Sequence, residues 1–359
     1  MRRCLVLSLI VGCHGSHEAT PAPVPTAATR ADYCRARGTF AALPLGNATG
    51  SAIRPAHTFS IVARDPVSGD LGVAVQSHWF SVGSMVTWAE PGVGAVATQA
   101  NVEPSYGPKG LALMRDGASA SEAMNQLIAA DQQADVRQLG FVDARGHAAS
   151  HTGAKCIQFA GHHVGDGYTV QSNLMGNDKV VPAMTVAYEA AKGDLADRML
   201  AALDAAQAAG GDIRGCQSAA ILIVSGKRTE TPWTERKLDL RVEDNGAPIE
   251  ELHRLVTLAR AYDQMNQGDE SVVKGDMTGA VAHYGAAATA VPDNMEMKYW
   301  QAVALAGHGQ VDAAIPMFRA TFAADPAWAE LTRRLTAPGI LPDTPEGHAM
   351  VERVLREAR

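Results

Sequence analysis

The chain has 359 residues, a formal net charge of −7, 47% hydrophobic residues and 5% aromatic residues. That length has room for about two domains, and an acidic balance without a basic patch argues against a nucleic-acid partner. No Cys or His cluster carries metal-ligand spacing, so neither a metal nor another cofactor is expected, and the adjacent pair His162 and His163 reads as a surface or core feature.

At the N-terminus Arg2 and Arg3 precede the apolar run CLVLSLIVG, which is too short to span a bilayer. Ile10-Val11-Gly12-Cys13 resembles the lipobox of bacterial lipoproteins, which makes residues 1–13 a signal peptide and Cys13 an acylated membrane anchor in the cell envelope. A plain secretory signal cut elsewhere is the alternative, giving a periplasmic or secreted protein. Residues 14–56 read as a disordered tether or propeptide, Pro-, Ala- and Thr-rich as far as residue 31. Cys34, Cys156 and Cys216 then remain, enough for one disulfide and one spare thiol in an oxidising compartment.

From Thr58 the chain is strongly patterned. Thr58 to Arg64 and Leu71 to Ser77 read as two strands of a hairpin, closed by Asp65, Pro66, Ser68, Gly69 and Asp70. A third short strand, Gly92 to Thr98, ends in the polar group Gln99, Asn101, Ser105 and Tyr106. Helices follow at Lys109 to Asp116 and Ser119 to Asp131, the second opened by a Ser119/Glu122 capping box. Strands are expected at Arg137 to Asp143, His147 to Thr152 and Gly167 to Leu174, the last placing Gln171 and Asn173 on one face. Apolar residues at three- and four-residue spacing predict helices at Val180 to Ala191 and Leu195 to Ala209. The apolar run Ser218 to Val224 reads as a buried central strand with Leu238 to Val242 beside it. Strands alternating with helix pairs imply a layered α+β domain; an αββα sandwich is compatible with this order but is not singled out by it.

After Glu243 the pattern becomes all helical, starting with Pro248 to Gln267. Gly275, Ala280, Tyr284 and Pro292 recur 34 residues later as Gly309, Ala314, Phe318 and Pro326. That period and those residue types are tetratricopeptide-repeat (TPR) features. Two such units are fewer than usually stand alone, so they are expected to lean on the Pro248 helix and on a last helix from about Glu346 to Ala358.

The segments TFSIVARDP (58–66), GVGAVATQANVEPSYGPKGL (92–111), GDGYTVQSNLM (165–175) and QSAAILIV (217–224) together resemble the bacterial domain-of-unknown-function family 1028. Members are classed as similar to N-terminal-nucleophile (Ntn) hydrolases. The resemblance implies a four-layer αββα sandwich over residues 57–245, followed by a small all-α, TPR-like domain at 246–359. A helical segment after this domain has been labelled peptidoglycan-binding.

The same resemblance places Thr58 where an Ntn nucleophile stands. Cleavage after His57 frees its α-amine, the Oγ attacks an amide carbonyl, and water hydrolyses the acyl-enzyme. Ser60 shares the face of Thr58 by strand alternation, and so does Arg64. Ser77 follows Gln76 where proteasome-like relatives tend to carry an acid followed by Ser; the acid is missing here. Gln99, Asn101 and Asn173 lie at strand ends that can converge on Thr58, with Asn173 or a backbone N–H as oxyanion donor. Two readings follow. One is an amidohydrolase acting on a small amide or peptide-like substrate. The other is a catalytically silent, lipid-anchored module whose helical tail binds a protein or the cell wall. A homodimer through the helical layers fits either.

Overall fold

The computed structural model describes residues 58–359; the expected signal peptide, the tether, Cys13 and Cys34 lie outside the described residues. In chain order the elements are β1 (Thr58–Arg64), β2 (Leu71–Ser77), a one-turn α1 (Gly83–Val86), β3 (Thr87–Glu90), β4 (Gly94–Ala100), α2 (Tyr106–Arg115), α3 (Ala120–Ala130), β5 (Arg137–Asp143) and β6 (Ala148–Thr152). There follow β7 (Gly161–Gly165), β8 (Tyr168–Ser172), α4 (Val180–Ala190), α5 (Leu195–Ala208), β9 (Ser218–Val224) and β10 (Arg236–Val242). The rest is helical: α6 (Pro248–Val273), α7 (Met277–Ala290), α8 (Met295–Gly307), α9 (Val311–Ala324), α10 (Ala327–Arg333) and α11 (Pro345–Glu357). The protein is therefore α+β, with a sheet-rich first part and a helical second part.

The strands form two antiparallel sheets, a six-stranded one ordered β10-β9-β2-β1-β8-β7 and a four-stranded one ordered β3-β4-β5-β6. Strand alternation sends Phe59, Ile61, Val170 and Ile221 to one face of the larger sheet, where they pack on Met184 of α4 and on Met199, Leu200 and Leu203 of α5. The opposite face supplies Val62, Val73, Val75 and Leu222, which meet Ala95, Ala97 and Val142 of the smaller sheet. The smaller sheet's outer face, with Val96, Leu139 and Phe141, is covered by Leu111 and Met114 of α2 and Met124 of α3. The layers thus run helices, sheet, sheet, helices. Each helix pair hides an apolar face that a bare sheet would leave in water, at about 25 cal/mol per Å² of apolar area.

Local signals explain most element ends. Ser119 accepts from the Glu122 N–H and the Glu122 carboxylate reaches back to Ser119, closing the expected capping box of α3. Helix α2 starts at Tyr106 rather than Lys109, because Pro108 falls in the first turn, where its missing N–H has no intrahelical partner to lose. The third strand runs to Ala100, and Gly92 lies before it in a turn.

Helix α6 is 26 residues long and serves two cores. Ile249, Leu252 and Val256 close the larger sheet's helix side. Further along, Ala261 and Met265 pack with Ala280, Tyr284 and Met297 of α7 and α8. The 34-residue spacing is visible in this part: Ala280 and Ala314 are fully buried, Tyr284 and Phe318 are buried one turn on, and Gly275 and Gly309 sit in the turns before α7 and α9 with φ of 75° and 78°. Tyr299, Phe318, Val354 and Leu355 centre a second helical core that α11 completes. Among the described residues no helix is long and apolar enough to cross a membrane.

Candidate functional site

Antiparallel pairing brings the start of β1, the ends of β2 and β8 and the start of β9 together at one end of the larger sheet. Thr58 is opposite Ser77, and Ser77 is opposite Ser218. The Asn173 N–H donates to the Thr58 carbonyl at 3.0 Å. The Thr58 hydroxyl donates to Ser77 Oγ at 3.3 Å. Both side chains are fully buried. Across the inter-sheet space the smaller sheet presents Gln99 opposite Gln138, and Gln138 opposite Thr152.

This half of the inter-sheet layer is polar where the other half is apolar. Ser60 Oγ donates to Gln99 Oε1 at 2.6 Å and accepts from Gln171 Nε2 at 2.5 Å. Gln99 Nε2 donates to Gln138 Oε1 at 2.7 Å, and Asn173 Nδ2 reaches the same oxygen at 2.8 Å. Gln138 Nε2 in turn donates to Thr152 Oγ1 and to the Ser172 carbonyl, each at 2.9 Å. One carboxamide therefore ties both sheets together next to Thr58. Satisfied buried networks of this kind fix register and rotamers, since each orphaned group costs about 1–3 kcal/mol. Gly140 makes room for the network: a Cβ there would lie 2.4 Å from Gln171 Oε1.

Two residues at this end hold left-handed backbone without being glycine. Ala100, with φ of 66°, follows Gln99, and Leu174, with φ of 55°, follows Asn173. Such conformations cost about 1–3 kcal/mol each and persist where the surroundings over-determine them. On the helix-facing side of β2, the Gln76 carboxamide is fully buried with neither Nε2 nor Oε1 hydrogen-bonded. The His78 N–H donates to Asp212 Oδ2 at 3.2 Å, and Asp212 is paired with Arg214 at 2.7 Å.

The structure brings Thr58, Ser60, Ser77 and Asn173 into one buried cluster with Gln99. Asn101 stands apart from it: its N–H bonds the Val136 carbonyl, its own carbonyl accepts from Arg137, and its Oδ1 is buried without a hydrogen bond. Arg64 shares the face of Thr58 but sits six residues along the strand, roughly 20 Å away. Gln138 and Thr152 are the members that sequence reasoning passed over. Their only signal is a polar residue at the inward position of a strand end.

The hydrogen bonds described for this cluster join hydroxyls, carboxamides and backbone groups. At the rim of the network His162 Nδ1 lies 2.8 Å from Thr152 Oγ1. Burial, followed by the neighbouring His151 and His163, holds it below the usual histidine range, so it is neutral at pH 7. Burial pushes the Cys156 thiol up, and burial with the Asp212 charge does the same to Cys216, which leaves both as protonated, poor nucleophiles. Among the described residues both are free thiols. Among the described residues no group of three or more His, Cys, Asp or Glu side chains is placed to hold a metal ion.

The family described as "Family of unknown function (DUF1028)" matches residues 58–252. The chain is also similar to the crystal structure of protein SPO2555 from Silicibacter pomeroyi, itself assigned to DUF1028. Sequence identity is 31%, the match covers 56% of this chain and 89% of that one, and the TM-score is 0.51. A search of curated proteins finds no match. A family match that begins at Thr58 and spans both sheets and their covering helices shows that this chain belongs to the DUF1028 family.

Proposed function

We propose that the sheet-rich part is an Ntn-type amidohydrolase with Thr58 as its nucleophile after cleavage of the His57–Thr58 bond. The observation that carries this reading is the position of Thr58. It heads a central strand between two helix-covered sheets, with its hydroxyl in the inter-sheet space 3.3 Å from Ser77 Oγ. A β residue turns its N–H and C=O to the same side. Because the Thr58 carbonyl accepts from Asn173, an amine freed at Thr58 also faces β8. That amine, of ordinary pKa near 8, accepts a proton at neutral pH and is the base in this reading.

In the reaction the amine takes the Oγ proton, Oγ bonds to the amide carbonyl carbon, and the C–N bond breaks as the proton passes to the leaving amine. Water then cleaves the ester and regenerates Thr58. Asn173, held by Gln138, is the side chain assigned to the developing oxyanion. The substrate is a small amide or peptide-like molecule. In this reading the uncut chain is held in the cell envelope through Cys13, cleavage before Thr58 separates the active domain from that lipid, and the helices after residue 245 serve as a TPR-like partner-binding tail.

The complete burial of Thr58 in the described structure favours a second reading, a non-catalytic envelope-anchored module. N-terminal sequencing and intact mass of the mature protein separate the two. A chain beginning at Thr58, in which Thr58→Ser still turns over amides and Thr58→Ala does not, supports the hydrolase. A mature chain still joined through His57 overturns it in favour of the binding module.

A further inference from the structure

The helical part contains a groove that the amide chemistry does not use. A cavity of about 650 Å³ runs between the second half of α6, α8 and the segment 339–342. Its walls include Met265, Val273, Trp300, Val303 and Ile340. Val273 is 88% exposed and Ile340 52% exposed, large apolar side chains held in water at the rim of one concavity.

The charge in the groove is one-sided. Its charged lining residues are Asp269 and Glu296, and no Lys or Arg is among the described lining. Each carboxylate is anchored by a tyrosine: Tyr284 donates to Asp269 Oδ1 at 2.5 Å, and Tyr262 to Glu296 Oε2 at 2.6 Å. One oxygen of each is thereby oriented, and the second is left to a cation. His308, also in the lining, has its Nδ1 3.1 Å from the Ala304 carbonyl of its own helix, so it supplies no compensating contact to either acid.

We propose that this groove binds an extended peptide segment in which basic residues flank apolar ones. The basic side chains meet Asp269 and Glu296, and the apolar ones cover Val273, Ile340 and Trp300. A chain segment seated between α6, α8 and the 339–342 loop buries the exposed apolar rim and reaches both carboxylates together. The inference rests on the reading of the helices after residue 245 as a partner-binding tail; it shares no residue with the Thr58 cluster and stands whether or not Thr58 is catalytic.

The test uses the full chain and fluorescence anisotropy with a fluorescein-labelled (Lys-Leu-Arg-Leu)3 peptide, set against (Glu-Leu-Asp-Leu)3 and (Lys-Ser-Arg-Ser)3. Saturable binding of the first peptide is expected, at least tenfold tighter than either control and weakened by added salt. The double variant Asp269→Asn/Glu296→Gln keeps an acceptor for each tyrosine and should lose about tenfold. Val273→Ser, at an exposed position that does not burden folding, removes apolar contact without adding charge and should also weaken binding several-fold. Equal binding of the acidic peptide, or indifference to both variants, overturns the proposal. So does concentration-dependent self-association abolished by Val273→Ser without peptide binding, which would make the occupant a second copy of this chain.

Discussion

Replacing Gln138 with Leu keeps nearly the same volume and removes the carboxamide that joins the two sheets. Gln99 Nε2 loses its 2.7 Å acceptor and falls back on the Thr58 and Gln171 carbonyls, both 3.4 Å away. Asn173 Nδ2 loses its bond to Gln138, and the Ser172 carbonyl loses a 2.9 Å donor. Thr152 Oγ1 keeps His162. Five hydrogen bonds to Gln138 are lost, counting a 3.2 Å bond to the Gly161 carbonyl, and with Gln99 and Thr152 keeping other partners the net cost is about 2–4 kcal/mol. Native-state hydrogen exchange reads this locally: amides of β1, β5 and β8 should exchange about 30- to 1000-fold faster, at roughly 1.4 kcal/mol per factor of ten. Amides of α9, which packs in a separate core, serve as the internal reference and should not change. Acceleration of less than about fivefold in β1 and β5 would refute the view that Gln138 holds the sheets in register.

Other consequences are open to measurement. Gly226→Ala puts a Cβ 2.3 Å from the Gly69 carbonyl oxygen, backbone against backbone beneath the β1–β2 turn, and should lower the melting temperature by several degrees; an unchanged melting curve would count against that close approach. Burial alone would raise the Asp143 carboxyl, but the His147 side chain and the N–H groups of Ala120, His147 and Arg145 outweigh it and hold the group below its ordinary range. Its folded-state pKa is therefore the lower one, so its contribution is complete above about pH 5 and is lost as pH falls through the folded value below about pH 4. Circular dichroism should show a steepening loss of stability there that Asp143→Asn flattens. Cys156 and Cys216, both with raised pKa, should react slowly with iodoacetamide at pH 7 and faster above pH 9. Rapid labelling of either at pH 7, followed by intact mass, would make it a candidate nucleophile.

How much of this was legible beforehand follows from what each feature depends on. Strands β1, β2, β5 and β9 begin and end where the reading of the chain put them, because each is a compact apolar run bounded by turn or polar residues. Strand β7, GHHVG, went unseen: it is an edge strand with exposed histidines, so it carries no inward and outward alternation. Strand β3 was hidden because Thr87 follows α1 directly, without a turn residue to separate them. The pairing of Thr58 with Ser77 was implicit in a short hairpin. The meeting of Gln99 and Gln138 with Asn173 depends on two sheets stacking face to face, which no local pattern encodes. Asn101 looked equivalent to Gln99 from its position two residues on. The left-handed Ala100 between them turns the chain, and its Oδ1 makes no bond to the cluster.

Helix α6 is seated at one end among the side chains of the larger sheet, while its other end supplies Tyr262, Asp269 and Val273 to the peptide-sized groove. Between Val256 and Val273 it is a rod of about 26 Å. Pivoted at its seat, a tilt of about 5° swings the far end by roughly 2 Å, by the same rise per residue. That displacement is comparable to the difference between a hydrogen bond and none. One rigid rod is thus shared by two cores, packed at one end with Ile249, Leu252 and Val256 and at the other with Ala261 and Met265, so the geometry of the groove wall is tied to the seat of the helix on the larger sheet.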